Sequence, residues 1–150
     1  MKVVNGCIVS TVGFTCSCFD LLHAGHIIML QYAKARCDRL IVGLQTDPTI
    51  DRSDTKNKPI QSLEERRIQL EAVKYVDEVF TYDTEKDLYK KLLDIKPDVR
   101  ILGSDYINKS FTGDDLDIQI YYHDRNHNYS TTNLRKKIVS EHIHREATKR

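Results

Sequence analysis

Two histidines stand three residues apart in Leu22-His23-Ala24-Gly25-His26-Ile27. An apolar, β-branched run precedes them, Ile8-Val9-Ser10-Thr11-Val12-Gly13-Phe14-Thr15, and a helical pattern follows, Ile27-Ile28-Met29-Leu30-Gln31-Tyr32-Ala33. A strand therefore runs into a short turn, and the pair sits where a helix begins. Residues three apart on a helix share a face. The first helical turn adds unpaired backbone N–H groups and the positive end of the macrodipole. Two imidazoles beside such donors suit a phosphate, and Gly25 places no side chain in a ligand's way. The pair is also half of a metal site, with Cys18 as a third ligand, but a strand end and a helix start separate those residues. Phosphate binding ranks above metal ligation, and both rank above two incidental helix histidines.

The rest of the chain must position this pair. A length of 150 residues is one domain by the length prior and holds a real core. Apolar residues at 40% and charged residues at 30% describe a soluble globule. The net charge of +1 gives no global field for nucleic acid. No apolar run reaches membrane-spanning length. One early lysine comes with no signal-peptide cleavage pattern, so the cytoplasm is the default. Cys7, Cys16, Cys18 and Cys37 do not read as a disulfide framework, and Cys16-x-Cys18 lacks the second Cys/His pair of a zinc site.

In order, Ile8 to Thr15 reads as a central strand, 24–36 as a helix, and Arg39 to Leu44 as a second buried strand. Residues 49–60 are polar and read as a mobile loop. Ser62-Leu63-Glu64-Glu65 is a capping box opening a helix to about Tyr75. Strands are expected at Val79–Thr81, Val99–Leu102 and Ile118–Tyr122. A helix at 85–95 is stopped by Pro97, and a basic terminal helix starts at about 131, capped by Thr131 or Thr132. Alternation of this kind predicts an α/β fold, a Rossmann-like open parallel sheet with helices on both faces. Ligands of such sheets bind past the carboxyl ends of the strands. His23 and His26 follow the first strand, Lys56 and Lys58 the second, Gly103 and Asp105 the fourth, and Arg125 with Ser130-Thr131-Thr132 the fifth.

The string Cys18-Phe19-Asp20-Leu21-Leu22-His23-Ala24-Gly25-His26 resembles the H-x-G-H signature of the nucleotidyltransferase superfamily. It is similar to two branches: glycerol-3-phosphate cytidylyltransferases, and adenylyltransferases that make ADP-heptose. The likeness runs from about Ile8 to Ile138. Ser62-x-x-Glu65-Arg66 looks like a family segment, Leu102-Gly103-Ser104-Asp105-Tyr106 its loop near the base, and Arg125-x-x-x-x-Ser130-Thr131-Thr132 its late motif. Ser17 stands where glycine is usual, and His127 and Asn128 where glutamate and glycine are common.

The resemblance implies phosphoryl-centred chemistry in which an acceptor phosphate attacks the α-phosphorus of a nucleoside triphosphate and pyrophosphate leaves. His23, His26, Lys56 and Arg125 carry the catalytic roles, with the histidines donating to phosphate oxygens, protonated in the complex, and Arg125 gripping the β- and γ-phosphates. Ser17, Cys18, Phe19, Gly25, Gly103, Asp105, Tyr129, Ser130, Thr131 and Thr132 complete the nucleotide site. Asp20 and Arg66 are candidate acceptor contacts; Asp20 reads equally as a turn cap or helix-start cap, and Arg66 equally as a structural partner of Glu65 or of a neighbouring helix. His123 and His127 have no spacing that demands a role. Mg2+ is expected as phosphate counter-charge, with Asp20 a candidate outer-sphere ligand. The expected reaction is a cytidylyltransferase acting with CTP on a small phosphomonoester such as glycerol 3-phosphate. The alternatives are an adenylyltransferase using ATP and a sugar phosphate, or a silent nucleotide-binding module. A homodimer is implied by resemblance, with neither nucleic acid nor membrane as partner, and Glu141 and Glu146 make the basic helix a solvated face.

Overall fold

The computed structural model describes residues 1–150. It opens with a small antiparallel hairpin, β1 (Lys2–Val4) and β2 (Cys7–Val9), turned by Asn5 and Gly6 at φ +50° and +80°. Positive φ at both turn residues is the conformation that Asn-Gly supplies between twisted strands. The strand expected over Ile8–Thr15 is therefore divided. Ile8 and Val9 belong to the hairpin, and the central strand is β3, Val12–Ser17.

Helix α1 follows (Ala24–Lys34), then β4 (Arg39–Gln45), a single helical turn α2 (Thr49–Arg52), α3 (Leu63–Glu71), β5 (Glu78–Tyr82), α4 (Glu85–Ile95), β6 (Val99–Gly103), β7 (Gln119–His123) and α5 (Thr131–Thr148). Thus the expected loop over 49–60 begins with a helical turn, and α3 stops at Glu71 instead of Tyr75. The cap of α5 is Ser130, whose Oγ accepts from Asn133 N at 3.0 Å, so the hydroxyls of Thr131 and Thr132 lie inside the helix.

β3 to β7 form one parallel sheet in the order β5-β4-β3-β6-β7. Side-chain alternation along each strand divides the core in two. Leu40, Val42, Leu44, Val99 and Ile101 pack with Leu30 and Ala33 of α1 and Leu70 of α3. Phe14 and Tyr82 pack on the other face with Leu88 and Leu92 of α4. Chain order reverses at β3, so its carboxyl end, beside that of β6, is the switch point. No helix is long and apolar enough to cross a membrane.

Candidate active site

A cleft of about 590 Å³ opens over the carboxyl ends of these strands. The end of β3 contributes Ser17, the residue after it is Cys18, and the start of α1 contributes His23, Gly25 and His26. Lys56 enters from the loop after α2, and Gly103 and Asp105 from the end of β6. The segment after β7 adds Arg125 and Tyr129, and the start of α5 adds Ser130, Thr131 and Thr132. One cleft thus gathers positions up to 115 residues apart in sequence, from Ser17 to Thr132.

The turn before α1 is strained. Phe19 and Leu21 hold φ of +49° and +51°, a region that costs a bulky residue about 1–3 kcal/mol. The surroundings enforce it. Phe19 is buried in the core, and Leu21 N donates to Gln61 Oε1 at 2.9 Å. The strain sets His23 as the N-cap of α1.

The two histidines then cap the helix on each other. His23 Nδ1 accepts from Gly25 N at 3.1 Å, and His26 Nδ1 accepts from His23 N at 3.3 Å. The rings stack with centroids 3.8 Å apart, and Phe19 packs 5.2 Å from His26. An Nδ1 that accepts a backbone N–H carries no proton, so each ring is assigned as the neutral tautomer with its proton on Nε2. Burial, then the neighbouring His23 and Arg125 charges, push His26 down to about 3. Burial, then His127 and Arg125, also lower His23. Protonation is expected from the sequence for the complex with phosphate. The free protein holds neutral rings, because a charged form would face desolvation and would break the cap. The arrangement offers two fixed Nε2–H donors.

Arg125 makes no ion pair. A Cβ built at Gly103 would stand 3.5 Å from Arg125 Nε and Nη2 and closer still to Asp105 Oδ1, so only glycine allows this packing. Gly25 has a second role beyond access: a Cβ there would meet Cε1 of both His23 and His127 at 2.9 Å. His127 therefore belongs to the site. Its Nδ1 accepts from Tyr129 N, and its ring stacks on Tyr129. His123, buried beside Tyr32, also lines the cleft. Their sequence spacing carried no signal, since only the fold of the segment after β7 brings them to α1.

Three expected site residues do not line the cleft. Phe19 is core. Asp20 accepts from Ile60 N and Gln61 N, both at 2.9 Å, and from Arg135 at 3.1 Å. Burial alone would raise its carboxyl, but these bonds outweigh burial and hold it below the usual range. Arg66 does not pair with Glu65, which completes the Ser62 capping box. It donates to the carbonyls of Gln61, Cys18, Gln45 and Thr46 at 2.6–3.2 Å, tying α3 to the ends of β3 and β4. These contacts use up the groups assigned to the acceptor.

No cluster of three ligating side chains is present. Cys16 and Cys18 face different partners, Arg100 and Arg66. With Asp20 also taken up, the residues present do not fit a protein-held magnesium.

A family profile described as Cytidylyltransferase-like matches residues 14–137. The chain is 38% identical over 127 residues to the bifunctional protein HldE of Caulobacter vibrioides, covering 82% of this chain and 26% of that protein. It is 36% identical to the bifunctional protein HldE of Helicobacter pylori strain HPAG1, over 86% of this chain and 28% of that one. The chain spans about a quarter of the length of the curated relatives it matches. A lipopolysaccharide core biosynthesis protein from Thermoplasma volcanium superposes with TM-score 0.63 at 27% identity, over 81% of this chain and all of that one.

Proposed function

The chain belongs to the cytidylyltransferase-like family, and from that premise we propose that it is a nucleotidyltransferase. An oxygen of the acceptor's phosphate forms a bond to the α-phosphorus of a nucleoside triphosphate. The bond from the α-phosphorus to the bridging oxygen breaks, and that oxygen leaves with pyrophosphate. Such a reaction needs positioning and charge stabilisation more than a covalent nucleophile. The carrying observation is the stacked His23–His26 pair, with Nδ1 of each locked and Nε2–H free, in one cleft with the unpaired Arg125.

In this reading the two Nε2–H groups donate to oxygens on the α-phosphorus, where charge builds as the new bond forms. Neutral donors suit that task, because they gain most when the oxygens are most negative. Arg125 binds the leaving pyrophosphate with its planar fork, and Lys56 adds a mobile charge. The free N–H groups at the start of α5, beside Ser130, complete the phosphate cradle. Any magnesium counter-charge would come with the triphosphate, since this chain offers no cluster of ligating side chains to hold it.

The substrate pair we favour is ATP with a sugar phosphate. The relatives named above are bifunctional HldE proteins, and the solved structure at 27% identity is a lipopolysaccharide core biosynthesis protein. These names fit the adenylyltransferase branch better than CTP with glycerol 3-phosphate. The second reading rests on the family description and on the Arg125 to Ser130-Thr131-Thr132 motif. Asp105 beside Gly103 is the candidate acceptor for the exocyclic amine that cytosine and adenine share, with Tyr129 beside the base. A cytoplasmic homodimer completes the proposal.

The test is pyrophosphate release from each of the four triphosphates against a panel of phosphomonoesters. ATP with an aldose phosphate should give the highest kcat/KM. CTP with glycerol 3-phosphate in first place would select the second reading, and no release from any pair would leave only a binding module.

A further inference from the structure

Strand alternation that divides the core also divides the cleft. Cys16, Gln45, Tyr82 and Arg100 face the α4 side, whereas Thr15 and Ile101 face α1 and the histidine pair. Gln45 and Arg100 are 2% and 3% exposed, and the cleft reaches both. None of the roles proposed above uses them.

Their hydrogen bonds are incomplete in one sense only. Gln45 Oε1 accepts from Arg52 Nη2 at 3.1 Å, which fixes the amide and leaves Nε2 as its free end. Gln45 Nε2 has no partner. Arg100 donates through Nη1 to Thr112 O and lies 5.5 Å and 5.2 Å from the rings of Phe14 and Phe111, yet its buried Nε has no partner. The buried Nε of Arg52 has none either. Three buried donors in one compartment thus lack acceptors. Buried donors are almost always paired, and a group of exceptions inside a cleft points to oxygens that a ligand brings.

The charges narrow the ligand. Arg52 Nη2 lies 3.2 Å from Glu85 Oε1, and Glu85 Oε2 accepts from Thr112 Oγ1 at 2.6 Å. The glutamate largely balances the arginine beside it and would repel a phosphate there. A hydroxyl group suits both, accepting from the free N–H donors and donating to the carboxylate. Tyr82 and Phe111 supply an apolar wall for the carbon faces of a polyol.

We infer that the α4 side of the cleft is the subsite for the hydroxyl groups of the acceptor, an aldose phosphate held by Gln45, Arg52 and Arg100 while its phosphate points towards the histidine pair. The inference rests on the nucleotidyl-transfer reading for its place in the reaction, but its test does not need turnover.

Binding of hexose and heptose 1-phosphates is measured by calorimetry on the full chain without triphosphate, with methyl phosphate as the hydroxyl-free control. Gln45→Met keeps the side-chain volume and removes the donor. Arg52→Met does the same on a surface helical turn and stands in if the first variant does not fold. Each should weaken the best-bound aldose phosphate about tenfold, the scale of one lost hydrogen bond to a charged or fixed partner. The affinities for methyl phosphate and, in a separate titration, for ATP should move about twofold at most. That pattern in the absence of any pyrophosphate release would support the subsite while removing the transferase reading. Unchanged affinity in the variants, no aldose phosphate binding to the wild type, or weakened ATP binding instead would each overturn the inference.

Discussion

Acid should destabilise this protein through His26, and the size of the effect follows from its place in the cap. The imidazole lies at about 3 in the folded chain against an ordinary 6.5, chiefly because it is buried. The folded value is the lower one, so between the two values the unfolded chain binds the extra proton. Stability is then fully present above 6.5, falls as pH drops below it, and stops falling near 3. At about pH 5 the linked loss is about 2 kcal/mol, set almost wholly by the gap between pH 5 and the unfolded value. His26→Gln is the informative change, because glutamine at this position of a capping box still accepts from the N-cap N–H but does not titrate. Urea unfolding at constant ionic strength, near pH 8 and near pH 5, gives the two stabilities for each protein. Wild type should lose about 2 kcal/mol more than His26→Gln over that interval. His23 and His123, which burial also lowers, are present in both proteins and cancel. An equal loss in the two proteins would refute the neutral, cap-locked ring.

Arg125→Lys should be nearly as damaging as Arg125→Ala, with kcat down roughly 10²-fold, since a point charge does not replace a bidentate fork; a lysine variant at full rate would reduce Arg125 to a general charge. Arg66→Met should cost about 3–5 kcal/mol in urea unfolding, because carbonyls of β3, β4 and the loop before α3 lose their donor together; a loss below about 1 kcal/mol would mean that water replaces the clamp. Gly25→Ala should lower both stability and kcat although alanine is the better helix former by about 1 kcal/mol. Its Cβ meets Cε1 of His23 and His127 at 2.9 Å, and a more stable, fully active variant would show that the rings move aside.

Much of the fold was legible because its signals are local. The alternation of apolar runs with capped helices announced the parallel sheet, and the Ser62 capping box forms as read. The hairpin was equally local, but Asn5-Gly6 was hidden when Ile8 and Val9 were joined to the run ahead. The cleft gathers most of the residues expected past the strand ends, since strand direction alone fixes which end they share. Asp20 and Arg66 lie outside the cleft because their partners are largely backbone groups, at Ile60, Gln61, Cys18, Gln45 and Thr46, which no side-chain pattern records. From the sequence, Arg100 reads as a strand residue and Gln45 as the residue where the second strand ends. Each is nevertheless polar in an apolar run, and period-two alternation from Phe14 through its partner Arg100 puts the guanidinium on the cleft's α4 side. The charge state of the histidines depends on burial, which sequence does not give.

Asp20 has one more consequence. Its carboxylate holds Ile60 and Gln61 and meets Arg135, while its carbonyl accepts from Thr131. Arg135 in turn donates to Lys58 O. The loop that carries Lys56 and the first turns of α5 are therefore fastened to one buried anchor. Under the proposed function, phosphate bound at the start of α5 would hold that loop in place, and the held loop would tighten the grip of α5 on phosphate by the same factor. Nucleotide capture would in that sense be a linked equilibrium, governed by a carboxylate outside the cleft.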